Sequence, residues 1–389
     1  MSLPSPSQLP ALRTLRVVAI GGGTGLSTLL RGLKRYVPAP TGSRRASDQA
    51  ARALAVNADA GAKSAARSRN PLHTANPVLI RDLAAIVTVT DDGGSSGRLR
   101  EDLNILPPGD VRNCMVALSE DEALLARLFQ HRFHQGDLEG HSFGNLFVAA
   151  LSGITGDFAQ AVQVSSQVLA TRGHIYPATN SNVTLSARME DGSTVLGETA
   201  ITASPHSIVE LSLVPPDAEA LPAALDAISN ADLITLGPGS LYTSLITNLL
   251  VRDIAEAIAE SRAVRVYIGN LMTQANESLG LTHSQHIEKI LQHCVAQSAS
   301  EAKGSSLPKL FDYALINTAP ISSELLDRYA REGQEPIEAD LDRIRALGVE
   351  PISGSFVHEG DVLRHDYDRV AEVLLQLAYQ RNSFTPAIV

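Results

Sequence analysis

Leu15-Arg16-Val17-Val18-Ala19-Ile20-Gly21-Gly22-Gly23-Thr24-Gly25-Leu26 decides how this chain is read. A short apolar run ends in four glycines within five residues. Leu26, Leu29, Leu30 and Leu33 then recur at helical spacing over Thr24–Tyr36. Strand, glycine turn and helix in that order open an α/β unit. Glycines at such a junction let the backbone approach a ligand, and the helix start offers N–H groups and a positive dipole end. The loop reads either as an anion cradle, most simply for phosphate, or as a tight turn. The dinucleotide fingerprint is broken, because the place of its third glycine holds Leu26. A P-loop is excluded as well, since no Gly-Lys-Ser/Thr follows.

Outward from this point the pattern repeats. Ala84–Thr90, Leu233–Leu236 and Val264–Ile268 are further apolar runs, and Leu310–Ile316 and Val349–Ile352 read as late strands. Continuous apolar strands separated by helices predict a Rossmann-like α/β fold, a mostly parallel sheet with helices on both faces. The middle predicts helices over Asp110–Leu118, Asp121–His134 and Phe143–Leu151. Ala178–Leu185 and Thr194–Ile201, with Asp191-Gly192 between them, predict an added β-hairpin region. Residues 38–78 carry six Lys/Arg against two Asp and no sustained period, so they read as a low-complexity insertion. The expected organisation is one α/β domain over 14–380 interrupted by that insertion, with a flexible tail at 1–13 and a C-terminal tail at 381–389.

Composition narrows the function classes. With 44% hydrophobic and 19% charged residues, the chain is neither disordered nor fibrous. A formal charge of −10 argues against non-specific nucleic-acid binding. No apolar run reaches the roughly 18 residues of a membrane span. No signal-peptide pattern opens the chain, so a cytoplasmic location is expected. The two cysteines, Cys114 and Cys294, form neither a metal spacing nor a disulfide framework.

Chemistry is carried by polar loops at strand ends, where ligands of open α/β sheets bind. Thr90-Asp91-Asp92-Gly93-Gly94-Ser95-Ser96-Gly97-Arg98 offers two carboxylates, two hydroxyls, close-approach glycines and a guanidinium. Asp91 and Asp92 read as ligands of Mg²⁺ beside a phosphate, as acceptors for sugar hydroxyls, or as a solvated Asp-Gly turn. Leu106-Pro107-Pro108-Gly109-Asp110-Val111-Arg112-Asn113 places Asp110 to cap a helix, with Arg112 and Asn113 in its first turn. His141-Ser142-Phe143-Gly144-Asn145 is another polar helix entrance. Gly237-Pro238-Gly239-Ser240-Leu241-Tyr242-Thr243-Ser244 repeats the logic of the first loop, and Asn270–Gln274 adds amide side chains suited to a sugar or base. The set reads as phosphate and polyol chemistry.

Taken together, these loops resemble the gluconeogenesis factor family, the YvcK-like proteins, which are related to the CofD-like 2-phospho-L-lactate transferases. The resemblance rests on Gly21–Gly25, Thr88–Arg98, Leu106–Asn113, His141–Leu146, Gly237–Ser244 with Asn248-Leu249-Leu250, and Asn270–Gln274, and it spans roughly 15–380. It implies a CofD-like fold and a cytoplasmic regulator of cell shape under gluconeogenic growth that binds UDP-sugars, notably UDP-N-acetylglucosamine, or another nucleotide diphosphate. The alternative it implies is a Mg²⁺-dependent transferase acting on a nucleotide-activated phospho-acid. The site carried over by motif comprises Gly21, Gly22, Gly23, Thr24, Gly25, Asp91, Asp92, Gly93, Gly94, Ser95, Ser96, Arg98, Asp110, Arg112, Asn113, Asn145, Gly237, Gly239, Ser240, Tyr242 and Asn270. Asp91 and Asp92 are its candidate catalytic and metal-binding residues. A protein partner or homo-oligomer stays open.

Overall fold

The computed structural model of the protein describes residues 14–38, 79–120, 124–275, 277–298 and 309–383. The expected tail 1–13 and residues 39–78 of the expected insertion lie outside these. Ile80 N–H donates to the Tyr36 carbonyl at 2.9 Å, so the chain on the two sides of 39–78 meets directly.

β1 (Thr14–Gly21), β2 (Leu79–Val87) and β3 (His174–Pro177) enter one sheet. β4 (Thr184–Met189), β5 (Thr194–Leu196) and β6 (Ile208–Val214) form a separate antiparallel sheet. β7 (Leu233–Leu236), β8 (Val264–Ile268), β9 (Tyr313–Asn317) and β10 (Glu350–Gly354) return to the first sheet. β11 (Val357–Glu359) and β12 (Leu363–His365) pair as a hairpin. The main sheet has the order β10-β9-β8-β7-β1-β2-β3, and every pairing in it is parallel. All residues of β7 and β8 are buried, as are nearly all of β1, so both faces of the central strands are covered.

The chain builds outward from β1 in two directions. β2 and β3 follow on one side, and β7 through β10 on the other. The carboxyl ends of β1 and β7 therefore flank the switch in strand order, where a crevice forms. Helix Gly23–Lys34 buries Leu26, Leu29, Leu30 and Leu33 and packs against helices Gly109–Leu118 and Tyr367–Ser383. Gly32 allows the second contact, because a Cβ there would stand 2.3 Å from the Tyr367 carbonyl oxygen.

Several expectations change: the first hairpin arm, read over Ala178–Leu185, begins at Thr184 and runs to Met189, and the helix read over Asp121–His134 ends at Gln130. The second hairpin arm, read over Thr194–Ile201, ends at Leu196, and Glu198–Ala203 is helical. The reason is tertiary: Asp92 Oδ1 accepts from both Thr199 N–H (2.8 Å) and Thr199 O–H (2.6 Å), satisfying the new helix start. β3 joins the main sheet although its four residues are too few to display a period. The last helix continues through Ser383, so 381–383 are not a tail, and 384–389 lie outside the described residues.

Candidate functional site

The crevice at the switch point is built from the ends of β1, β7 and β8. It encloses about 270 Å³. Thr24, Gly25 and Thr28 line one wall, Gly239 and Ser240 the second, and Asn270 to Gln274 the third. These loops are tied to one another. Asn270 Nδ2 donates to the Gly239 carbonyl (2.7 Å), and Gly239 N–H donates to Asn270 Oδ1 (3.2 Å). Gln274 Nε2 donates to Ser240 Oγ at 3.0 Å. Behind them, Asn248 Nδ2 joins the Gly21 and Ser244 carbonyls at 3.0 and 2.6 Å.

The rim comes from the C-terminal region, which motif reading left out. Tyr329, Gln334, Arg364 and His365 close the crevice. Arg364, exposed on β12, is the one permanent charge among its described lining residues. His365 Nε2 donates to the Gly269 carbonyl at 3.0 Å, and burial pushes its pKa down to about 4, so the ring is a neutral prop.

The second polar region lies on the other side of the glycine loop, around the end of β2. Gly23 N–H donates to Asp110 Oδ2 at 2.7 Å. Asp91 Oδ1 accepts from Gly93 N–H at 2.9 Å. Thr90 Oγ1 donates to Glu198 Oε2 at 3.2 Å and lies 3.2 Å from Thr88 Oγ1. Ser95 Oγ lies 3.0 Å from His141 Nδ1 and accepts from Asn145 Nδ2 at 3.1 Å. Arg112 reaches Ser142 Oγ (2.7 Å) and Asn113 Oδ1 (2.8 Å), and Arg98 reaches the Glu139 carbonyl (2.8 Å).

Three features differ from the motif reading. Both anion cradles already hold a carboxylate of the chain. Asp110 takes the Gly23 N–H, and Glu277 Oε1 accepts from Tyr242 and Thr243 N–H at 2.7 and 2.9 Å, where the helical segment after β7 begins. Tyr242 itself is 2% exposed, and its hydroxyl donates to the Ile208 carbonyl at 3.3 Å, so its side chain is core and does not face the crevice. Asp91 and Asp92 also diverge, one to Gly93 and the other to Thr199. Among the described residues no group of three or more His, Cys, Asp or Glu could hold a metal ion. Each of the two carboxylates thus spends one oxygen on a different neighbour.

Gly93-Gly94-Ser95-Ser96-Gly97 also reads Gly-x-Ser-x-Gly, the spacing of a hydrolase nucleophile turn. Its serine is 4% exposed inside a helix start and bonded to His141 and Asn145, a joint between helices and not an exposed elbow. Glu198, Glu277 and Arg364 were missed because no local pattern marks them. Each reaches the site only through tertiary contacts.

Burial dominates the electrostatics beside β2. It raises the Asp110 pKa to about 6 against the pull of the Gly23 hydrogen bond, and it raises Glu198 to about 9, helped by the charges of Asp110 and Asp91. A carboxyl raised on folding binds its proton more tightly in the native state. Its stability contribution is thus greatest below the unfolded-state pKa and is lost as pH rises through the folded one. For Glu198 that window runs from its ordinary value of 4.5 to about 9. The variant Glu198→Gln is expected to melt with the wild type at pH 4 and above it at pH 9. The gain should be at least about 1.4 kcal/mol, the equivalent of one pKa unit. Parallel melting curves of the two proteins across this range would refute the assignment.

The comparisons agree with this architecture. A family model described as 2-phospho-L-lactate transferase CofD matches residues 17–357. The gluconeogenesis factor of Halalkalibacterium halodurans is 44% identical over 367 residues, covering 94% of this chain and 97% of its own. That of Bacillus subtilis is 41% identical over 364 residues, covering 93% and 98%. The crystal structure of a UPF0052 family member from Bacillus halodurans matches with a TM-score of 0.77 at 44% identity, over 93% of this chain and 99% of that one. With a family model over most of its length and relatives of this identity matched nearly end to end, the chain belongs to the gluconeogenesis factor (YvcK-like) family, within the CofD-related proteins.

Proposed function

We propose that this protein is a cytoplasmic, nucleotide-sugar-binding regulator that supports cell shape under gluconeogenic growth, its ligand being UDP-N-acetylglucosamine or a close relative. The crevice carries the reading. Its walls combine glycine backbone, hydroxyls and neutral amides with the apolar Pro238, Leu271, Met272 and Leu363, and a single permanent cation stands at the rim. Such a lining suits a diphosphate flanked by hydrogen-bonding groups, and its volume is near the lower end of small-molecule sites. No helix among the described residues is long and apolar enough to cross a membrane.

The second reading, a transferase using a nucleotide-activated phospho-acid, is supported by the CofD family match. Metal dependence separates the two. Asp91 and Asp92 are each committed to a backbone N–H of a neighbouring turn or helix. UDP-N-acetylglucosamine binding measured by calorimetry is therefore expected to change less than about twofold when EDTA replaces Mg²⁺. The double variant Asp91→Asn, Asp92→Asn should weaken it only a few-fold. An amide oxygen can still accept those N–H bonds but cannot replace a carboxylate toward Mg²⁺. A strict Mg²⁺ requirement, abolished in the Asn pair, would favour the transferase.

A further inference from the structure

Asp110 stands where the glycine loop meets the acidic end of β2. One carboxylate oxygen holds the Gly23 N–H at 2.7 Å. On that side the packing is tight: a Cβ at Gly22 would lie 2.9 Å from the same oxygen, 2.5 Å from Thr88 Cγ2 and 3.2 Å from Ser244 Oγ. Above the loop it is open. Gly23 sits at φ +60°, and a Cβ there would meet nothing within 4 Å. Thr24 and Gly25, the next residues, line the crevice. Two residues of chain span at most about 7 Å. Asp110, bonded to Gly23, thus stands close to the crevice wall, within range of a ligand that extends past Gly23.

Beyond Asp110 the charge is negative. Asp91 acts on it electrostatically, with Arg112 as the opposing cation, and Asp92 lies further along the same loop with Arg100 near it. Asp91, Asp92 and Asp110 each keep part of their surface exposed, so their charge meets a ligand arriving at this end of the loop. A phosphate arriving here would face these carboxylates and would compete with Asp110 for the Gly23 N–H. A sugar hydroxyl or acetamido N–H would instead donate to Asp110. Discrimination arises as much from what a site repels as from what it attracts.

We propose that Asp110 is a specificity-determining residue, admitting the neutral, hydroxyl-rich end of a nucleoside diphosphate sugar and rejecting a further phosphate in the same place. This rests on the nucleotide-sugar reading of the crevice. The test is calorimetry on the full-length protein, in EDTA, with UDP, UDP-N-acetylglucosamine and UTP. The wild type is expected to bind the UDP-sugar at least 30-fold more tightly than UTP. Asp110→Asn keeps an oxygen for the Gly23 N–H while removing the charge, and it should shrink that ratio at least tenfold, chiefly by strengthening UTP. Asp91→Asn, which does not touch Gly23, should shrink it about threefold through space and serves if the first variant fails to fold. UDP-sugar binding with an unchanged ratio in the folded variants overturns the inference alone, as does a wild type that binds UTP equally well. A wild type that binds none of the three overturns the nucleotide-sugar reading and the inference together.

Discussion

Replacing Gly25 with alanine is expected to collapse the crevice and to destabilise the fold by about 3 kcal/mol or more, the upper range for an overpacked site. A Cβ at this position would stand 2.2 Å from the Pro238 carbonyl oxygen, 2.7 Å from its carbon and 3.1 Å from Gly239 N. All three are backbone atoms, so no side-chain rotation relieves the overlap. The loop after β7 would have to withdraw from the loop after β1, and the Asn270 bonds to Gly239 would go with it. A melting temperature lowered by more than about 5 °C and loss of nucleotide-sugar binding should appear together. Gly23→Ala is the internal control. The space there is open and only the positive φ opposes it, at roughly 1–2 kcal/mol. Gly25→Ala melting at or above Gly23→Ala would show that the two loops do not meet as described.

Arg364→Ala is expected to leave the fold intact, because the side chain is exposed on a surface hairpin. It should weaken nucleotide-sugar binding by 10- to 100-fold, about 1.4–2.7 kcal/mol. The physical reason is the scarcity of charge. With both cradles holding carboxylates of the chain itself, a diphosphate in the crevice has one guanidinium within its lining. Arg364→Lys should recover part of the loss, since an ammonium supplies the charge without the bidentate fork. The wild-type affinity should fall with added salt more steeply than that of the alanine variant. A change below twofold in titration calorimetry would remove Arg364 from the site.

The relation between motif and site is clearest at Asp92. Read alone, Asp91-Asp92 beside a glycine turn leaves a metal, sugar hydroxyls and a solvated turn equally open. In the folded chain Asp92 caps the helix of Glu198–Ala203 from 107 positions away and so brings Glu198 beside Thr90. Tyr242 shows the converse. Its backbone N–H lies in the predicted loop, yet its ring is core, because the helical segment that starts there turns the side chain inward.

The amino-acid sequence by itself determined the parallel sheet, the strand ends that border the crevice and the glycine loop, since apolar period and glycine placement act within a few residues of one another. β7 and β8 fall where the apolar runs Leu233–Leu236 and Val264–Ile268 place them. Only the tertiary structure decided which charges face which N–H groups. Glu277 on Tyr242, Asp110 on Gly23 and Arg364 over the crevice join residues 35 or more positions apart, or elements at opposite ends of the chain. A carboxylate satisfies a buried N–H as well as a phosphate does, and local sequence contains nothing that tells a cradle holding the chain's own acid from one left for a ligand.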